Sequence, residues 1–381
     1  MGRSLARGGW SRLLRSRHRL PPSLDEQIEK LKWRLVRPPV ELELALVPTG
    51  SRPRTLIAPA NFAGQGHAWA EALNRYGPGS AVNWVFSANP VFGFAADYTQ
   101  PICLAAAPKS FQSAQFALVT DHFQAVVLES GRPVFGRLFG HSAAREALVL
   151  NTVGLTVAVL WHGSDIRLPS RHIATHSLSP YALAPLRQRA AELESTARRN
   201  RRSMLHLDLL QLVSTPDLLS QVPGAEWCPV VVAAELLDSG AEERRQSAPA
   251  LTQTPGKPPR VVHVPSNPLI KGTDLADPVL RRLAERGLID YVLAEGITAA
   301  AVLELYASAD VVIDQFRLGI YGVAAAEAMA LGRLVVSDVD QSVYDAVQAR
   351  TGLTLPVCQT PAAELEQRIE DICRNPEPYR R

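Results

Sequence analysis

Twice along this 381-residue chain, short apolar runs of strand length alternate with helical patterns, and a polar stretch separates the two series. Such alternation predicts parallel βα units, because parallel strands need a crossover that is usually a helix. In the first series, strands are predicted at 55–59, 82–87, 125–129, 155–161 and 210–214, with helices at 67–75, 143–152 and 180–205. In the second, strands are predicted at 261–264, 289–294, 310–314, 334–337 and 353–357, with helices at 276–286, 298–307, 323–331 and 361–374. The run 238–259, rich in Ser, Pro, Gln and charge, reads as a linker or long surface loop. The fold class that follows is α/β, two Rossmann-like domains facing each other across a cleft. The domains divide as a basic extension (1–40), a first domain (41–237), the linker, and a second domain (260–381). In such sheets ligands sit beyond the carboxyl ends of the strands, so the cleft is the expected site.

Composition excludes several other classes. With 46% apolar and 20% charged residues the chain is an ordinary globular one, not a disordered one. No stretch approaches the ~20 apolar residues of a membrane span. The four cysteines (Cys103, Cys228, Cys358, Cys373) have no paired spacing, which argues against a disulfide framework or a zinc site. A net charge of +3, dispersed along the chain, does not suggest nucleic acid. Residues 1–38 are the exception, with ten Arg or Lys against three acids and no apolar core of the kind a secretory signal needs. Two readings stand for them: a solvated tail carrying one surface helix over 23–36, or a basic helix in peripheral contact with anionic lipid. An Arg-rich and Ser-rich start also admits a transit peptide. The expected location is cytoplasmic, with any membrane contact at the inner face.

The segment richest in chemistry is 314–332, DQFRLGIYGVAAAEAMALG. A strand ends at Asp314, Gly319 and Gly322 permit tight turns, and an Ala-rich helix follows. A helix start with bare N–H groups favours anions. Glu327 lies inside that small-residue helix, where an unpartnered carboxylate costs several kcal/mol, so a role with sugar hydroxyls is favoured over a passive one. The segment 263–272, HVPSNPLIKG, follows the first strand of the second series. Its Lys271, one of only five lysines among 40 basic residues, can neutralise a leaving diphosphate, and Ser266, Asn267 and Thr273 offer neutral donors.

Signals in the first half are weaker. Asn61-Phe62-Ala63-Gly64-Gln65-Gly66-His67 makes a glycine-bearing βα turn but not GxGxxG. Trp161-His162-Gly163-Ser164-Asp165 follows a strand; His162 can bond substrate, and Asp165 can hold that His or cap the next helix. Glu129 ends an earlier strand, and Thr215 is expected to cap after the strand at 210–214.

These blocks resemble group 1 glycosyltransferases, the retaining enzymes of the GT-B type found in bacteria. Tyr321-Gly322 matches the family's aromatic-Gly step, Glu327-Ala328-Met329-Ala330 the second half of its signature, and Lys271-Gly272 its basic diphosphate element. The His-Gly-Ser-Asp run at 162–165 looks like an element of one bacterial branch. The family's Pro is missing from the Arg333–Leu334 stretch, and two further departures bear on the donor site. Gly319 stands where the family has its first Glu, near the transferred sugar, and the Arg partner of the lysine would fall near Pro265 and Ser266. The resemblance spans residues 54–373 and implies transfer of a sugar from a nucleotide diphosphate donor to a glycan, lipid or small-molecule acceptor, with retention and without a metal or other cofactor. It implies donor contacts from Lys271, Ser266, Asn267, Gly319, Tyr321, Gly322 and Glu327. It places Gly64, Gly66, His67 and Asp165 towards phosphate and acceptor, with His162 and Glu129 near the reacting centre. The two departures also admit a degenerate relative that binds a nucleotide sugar or a protein partner without turnover. A nucleotide-sugar epimerase would need a set of carboxylates and a His that is not identifiable here.

Overall fold

A computed structural model describes residues 50–87, 94–232 and 257–379; the basic extension, and most of the polar stretch at 238–259, lie outside them. The first domain is built on seven parallel strands: β1 (Arg54–Ala58), β2 (Ser80–Ser87), β3 (Tyr98–Pro101), β4 (Ala125–Glu129), β5 (Thr156–Trp161), β6 (Leu210–Val213) and β7 (Glu226–Trp227). Their order is β3-β2-β1-β4-β5-β6-β7. The second domain has five parallel strands: β8 (Arg260–His263), β9 (Asp290–Leu293), β10 (Val311–Ile313), β11 (Leu334–Ser337) and β12 (Val357–Gln359), in the order β12-β11-β10-β8-β9. Strand order reverses between β1 and β4 in one sheet and between β8 and β10 in the other. Those reversals open the two crevices where doubly wound sheets hold ligands.

All-parallel sheets must be covered on both faces, and the sequence shows it. In β5, TVAVLW, every residue after the first is buried. The helices α1 (Gln65–Tyr76), α2 (Lys109–His122), α3 (Ala143–Thr152), α4 (Pro169–Thr175) and α5 (Arg187–Met204) belong to the first domain. To the second belong α6 (Pro268–Lys271), α7 (Thr273–Glu285), α8 (Ala299–Ala307), α9 (Val323–Ala330), α10 (Gln341–Thr351) and α11 (Leu365–Arg374). The last of these packs its Leu365, Ile369 and Ile372 into the second domain's own core.

Several expectations shift. The helix expected over 180–205 starts only at Arg187, because Leu183 is extended and Pro185 has no N–H to donate. The strand expected at 353–357 forms at Val357–Gln359, just past Pro356. Helix α2 carries no clear apolar stripe because two of its buried positions are Gln112 and Gln115. The Gln112 amide donates to the Ala105 carbonyl and accepts from the Arg137 N–H. Thr215 does occupy the position before a 3-10 turn, but its hydroxyl makes no capping bond and is buried without a partner.

Past β7, residues 228–232 touch both cores. Cys228 and Val231 pack against the first-domain cluster around Ile57 and Trp69, while Val230 and Val232 pack against the second-domain cluster around Val262 and Val312. Gln65 at the start of α1 exchanges two hydrogen bonds with the Val231 backbone, and the Trp69 indole donates to the Pro229 carbonyl at 2.8 Å.

Candidate functional site

A cavity of about 200 Å³ lies between the domains. The second domain lines it with Ser266, Lys271, Tyr306, Val323, Ala324 and Glu327, and the first domain contributes Ala63 and Phe94. The cavity sits at the carboxyl ends of β8 and β10, at that sheet's reversal of strand order. The short helix α6 carries Lys271 there. Asn267 starts that helix by accepting the Ile270 N–H at 3.2 Å, so its side chain serves as a cap and does not line the cavity.

Lys271 is ion-paired with Asp314, whose side chain is almost wholly buried at the end of β10. The other Asp314 oxygen accepts the Gly322 N–H at 3.2 Å. The expected bare amide at Gly322 is therefore already occupied by a carboxylate, and the open N–H groups of the first turn of α9 begin at Val323. A Cβ on Gly322 would lie 3.5 Å from the Lys271 ammonium, so the lysine rests against the turn. Behind it, His263 is fully buried and bonded to the Ile313 carbonyl and to Thr273 Oγ1, which removes Thr273 from the set of free donors.

Glu327 projects from α9 onto the cavity wall. No side chain among the described residues is hydrogen-bonded to its carboxylate, and burial pushes its pKa up to about 7.

Gly319 and Tyr321 are not brought to this cavity. Gly319 has φ +66 and bridges to Val339, and a Cβ there would lie 2.6 Å from the Asp340 Oδ1. Tyr321 is packed in the second-domain core, and burial pushes its pKa up to about 12.

In the first domain, Glu129 and His162 stand at the carboxyl ends of β4 and β5; neither is among the residues that line the cavity. Glu129 is 0% exposed; its two oxygens meet His162 Nε2 at 3.1 Å and the Ala60 N–H at 3.2 Å. Burial raises the carboxyl pKa, and the imidazole opposes that shift. The His162 ring packs against Phe62 and Trp69, with centroids 4.9 and 5.7 Å away. Asp165 does not touch the imidazole ring. It accepts the backbone N–H groups of His162 and Gly163, so the turn 162–165 is braced by its own aspartate.

In the glycine-bearing turn, Gly64 has φ +75 and faces Phe94, with 3.1 Å from a built Cβ to that ring. Gly66 is a packing glycine: a Cβ would meet the Ala60 carbonyl oxygen at 2.9 Å and crowd Asn83. His67 pairs with Asp97 at 3.1 Å and lines a different cavity of about 710 Å³, between α1 and residues 230–232.

The domains also touch away from the cavity. His172 and His176 stack with ring centroids 4.0 Å apart. His176 Nε2 lies 2.7 Å from Asp340 Oδ2, His172 Nε2 lies 3.4 Å from the Leu318 carbonyl, and Arg317 donates to the Leu178 carbonyl at 3.0 Å. Of the residues around the cleft, sequence reasoning missed Tyr306, Phe94 and Arg132. Arg132 had the clearest signal, since it closes a Ser-Gly turn directly after a strand ending in Glu.

Among the described residues no group of three or more His, Cys, Asp or Glu side chains could hold a metal ion, and no helix is long and apolar enough to cross a membrane.

No protein-family model matches the chain, and no curated protein matches it. Solved structures do. Sucrose-phosphate synthase from Thermosynechococcus elongatus is 17% identical, with a TM-score of 0.53, covering 86% of this chain and 91% of that one. The catalytic domain of starch synthase IV from Arabidopsis thaliana, bound to ADP and acarbose, is 12% identical over 86% and 93% of the two chains, with a TM-score of 0.44. UDP-GlcNAc 2-epimerase from Neisseria meningitidis, bound to UDP-GlcNAc, is 12% identical over 86% and 92%, also at 0.44. The first likeness shows the fold: two Rossmann-like domains facing across a cleft, the arrangement called GT-B.

Proposed function

We propose that the protein is a glycosyltransferase taking a sugar from a nucleotide diphosphate donor. The observation that carries this is Glu327: an open carboxylate on the wall of an interdomain cavity, beside Lys271 and the first turn of α9. A half-buried carboxylate without a protein partner is costly unless a ligand supplies donors. Vicinal ribose hydroxyls supply two. Lys271 has three N–H donors and commits one to Asp314, which leaves others for a diphosphate. The open amides at the start of α9 add the positive end of a helix dipole. Together these groups stabilise the charge that develops on the leaving diphosphate as the bond to the anomeric carbon breaks.

The acceptor enters from the first-domain side. There the His162–Glu129 pair holds a proton close to an aromatic face, and a proton leaving an acceptor hydroxyl can pass to it. Retention of configuration, membership of group 1 and a cytoplasmic location belong to this reading through the resemblance in the 314–332 and 162–165 blocks. The acceptor is a glycan, lipid or small molecule, and residues 1–38 are the segment to test for lipid contact.

Incubation with a panel of nucleotide sugars, with released nucleoside diphosphate as the readout, tests the reading. Wild type is expected to release nucleotide from at least one donor, and Glu327→Ala to lose most of that release. Nucleotide binding without release from any donor would turn the reading into a binding protein on the same fold.

A further inference from the structure

Resting on the donor reading above, we propose that Arg132 is the anion-binding residue of the first-domain side, receiving a phosphate group of a ligand that lies across the cleft.

Lys271 is matched by buried Asp314, and Glu327 faces the same space, so the second-domain wall carries no surplus positive charge in its side chains. Arg317, on the loop leading into α9, is given to Asp274. A diphosphate placed there meets helix amides and one shared ammonium. A second cation has to come from the opposite wall.

Arg132 is placed to supply it. Among the described residues its exposed guanidinium has no hydrogen-bond or ion-pair partner. Its central carbon sits 4.9 Å from the centroid of the Phe62 ring. That same ring packs on His162, and the next residue, Ala63, lines the cavity. A guanidinium laid over an aromatic face keeps its N–H edge free for two-point bonding to a phosphate.

The backbone fixes this placement. Ser130 and Gly131 both have positive φ, +58 and +59, and the Arg132 N–H closes the turn onto the Glu129 carbonyl at 3.1 Å. Such a turn is uncommon at a serine. It is held from below by Asn200, whose amide donates to the Ser130 carbonyl, and by the Trp161 ring, 3.2 Å from where a Gly131 Cβ would stand. The turn therefore delivers Arg132 next to the Glu129–His162 pair, and the arginine's charge reaches the Glu129 carboxyl.

The phosphate has two sources, the donor diphosphate or a phosphorylated acceptor, and calorimetry on the full chain separates them. Wild type and Arg132→Gln are titrated with UDP, ADP, inorganic pyrophosphate, glucose 6-phosphate and glucose. At least one phosphate-bearing probe is expected to bind tenfold or more weakly to the variant, with a shallower salt dependence and an unchanged Tm. Loss on the nucleotides and pyrophosphate assigns Arg132 to the donor. Loss on glucose 6-phosphate, with glucose unaffected, assigns it to the acceptor. Phosphate probes that bind the variant within twofold of wild type would overturn the proposal, as would a wild type that binds none of them. A chain that loses pyrophosphate affinity with Arg132→Gln, yet releases nucleotide from no donor, would keep this assignment and retire the transferase reading.

Discussion

Two helix glutamates show how one residue type serves opposite ends. Glu146 in α3 is fully buried and accepts the Val134 and Phe135 N–H groups at 2.7 and 3.0 Å; burial pushes its pKa up to about 8. Its work is finished inside the protein. Glu327 is pushed up to about 7 with no such donors. Since its folded pKa exceeds the unfolded value of 4.5, the folded chain holds the extra proton between those values. The stability this contributes is fully present below pH 4.5 and is lost as pH rises through about 7. Glu327→Gln removes that loss, so its Tm relative to wild type should be higher at pH 8 than at pH 5. An equal offset at both pH values would show that Glu327 does not titrate there. Gly319 makes a second prediction. An alanine at φ +66 costs about 1–2 kcal/mol in backbone alone, and its Cβ would press on the Asp340 carboxylate. Chemical denaturation of Gly319→Ala should show at least that loss, whereas Gly154→Ala, whose Cβ meets nothing within 4 Å, should show only the backbone part.

At the scale of elements, the start of α1 illustrates what a sequence does and does not disclose. The strand before it, the turn and the helix were all legible from apolar runs and glycine punctuation. The task of each residue in the turn was not. Gly66 serves packing, and Gln65 is 4% exposed because it completes two backbone hydrogen bonds with Val231, 166 positions away. No local pattern announces a partner at that separation. Gln65→Ala leaves both Val231 groups unmatched and should cost about 1–3 kcal/mol in unfolding experiments; a loss below ~0.5 kcal/mol would mean that water replaces the amide. The same distinction runs through the site. Lys271 and Glu327 stood out because a rare lysine and a carboxylate among alanines are chemical anomalies wherever they occur. Arg132 was one arginine among many, and its meaning depends on a ring and a turn brought together by folding. The helix over 109–122 was missed for a related reason, because its buried glutamines satisfy loops.

For the molecule as a whole, the stacked pair His172 and His176 joins the lobes. Burial, then the neighbouring His176 and Arg167 charges, pull the His172 pKa down to about 4. A histidine with a folded pKa below its unfolded 6.5 contributes stability that is present above pH 6.5 and lost as pH falls through about 4. His172→Gln should therefore lose less Tm than wild type between pH 6.5 and pH 4.5, and small-angle scattering should show wild type, more than the variant, expanding over that range. Parallel loss in the two proteins would place the acid sensitivity elsewhere. The loop that receives His172, 317–319, continues within the chain to Gly322 and α9, so the contact and the cavity share one piece of backbone.

The stretch after β7 stitches its alternate side chains into both hydrophobic interiors. Anyone dividing the gene to obtain separate lobes meets an awkward choice. A cut after residue 232 leaves the first fragment with a greasy stub, Val230 and Val232, torn from its counterpart. A cut at 225 robs α1 of the backbone that Gln65 and Trp69 embrace. Fragments expressed together should reassemble more readily than either behaves alone.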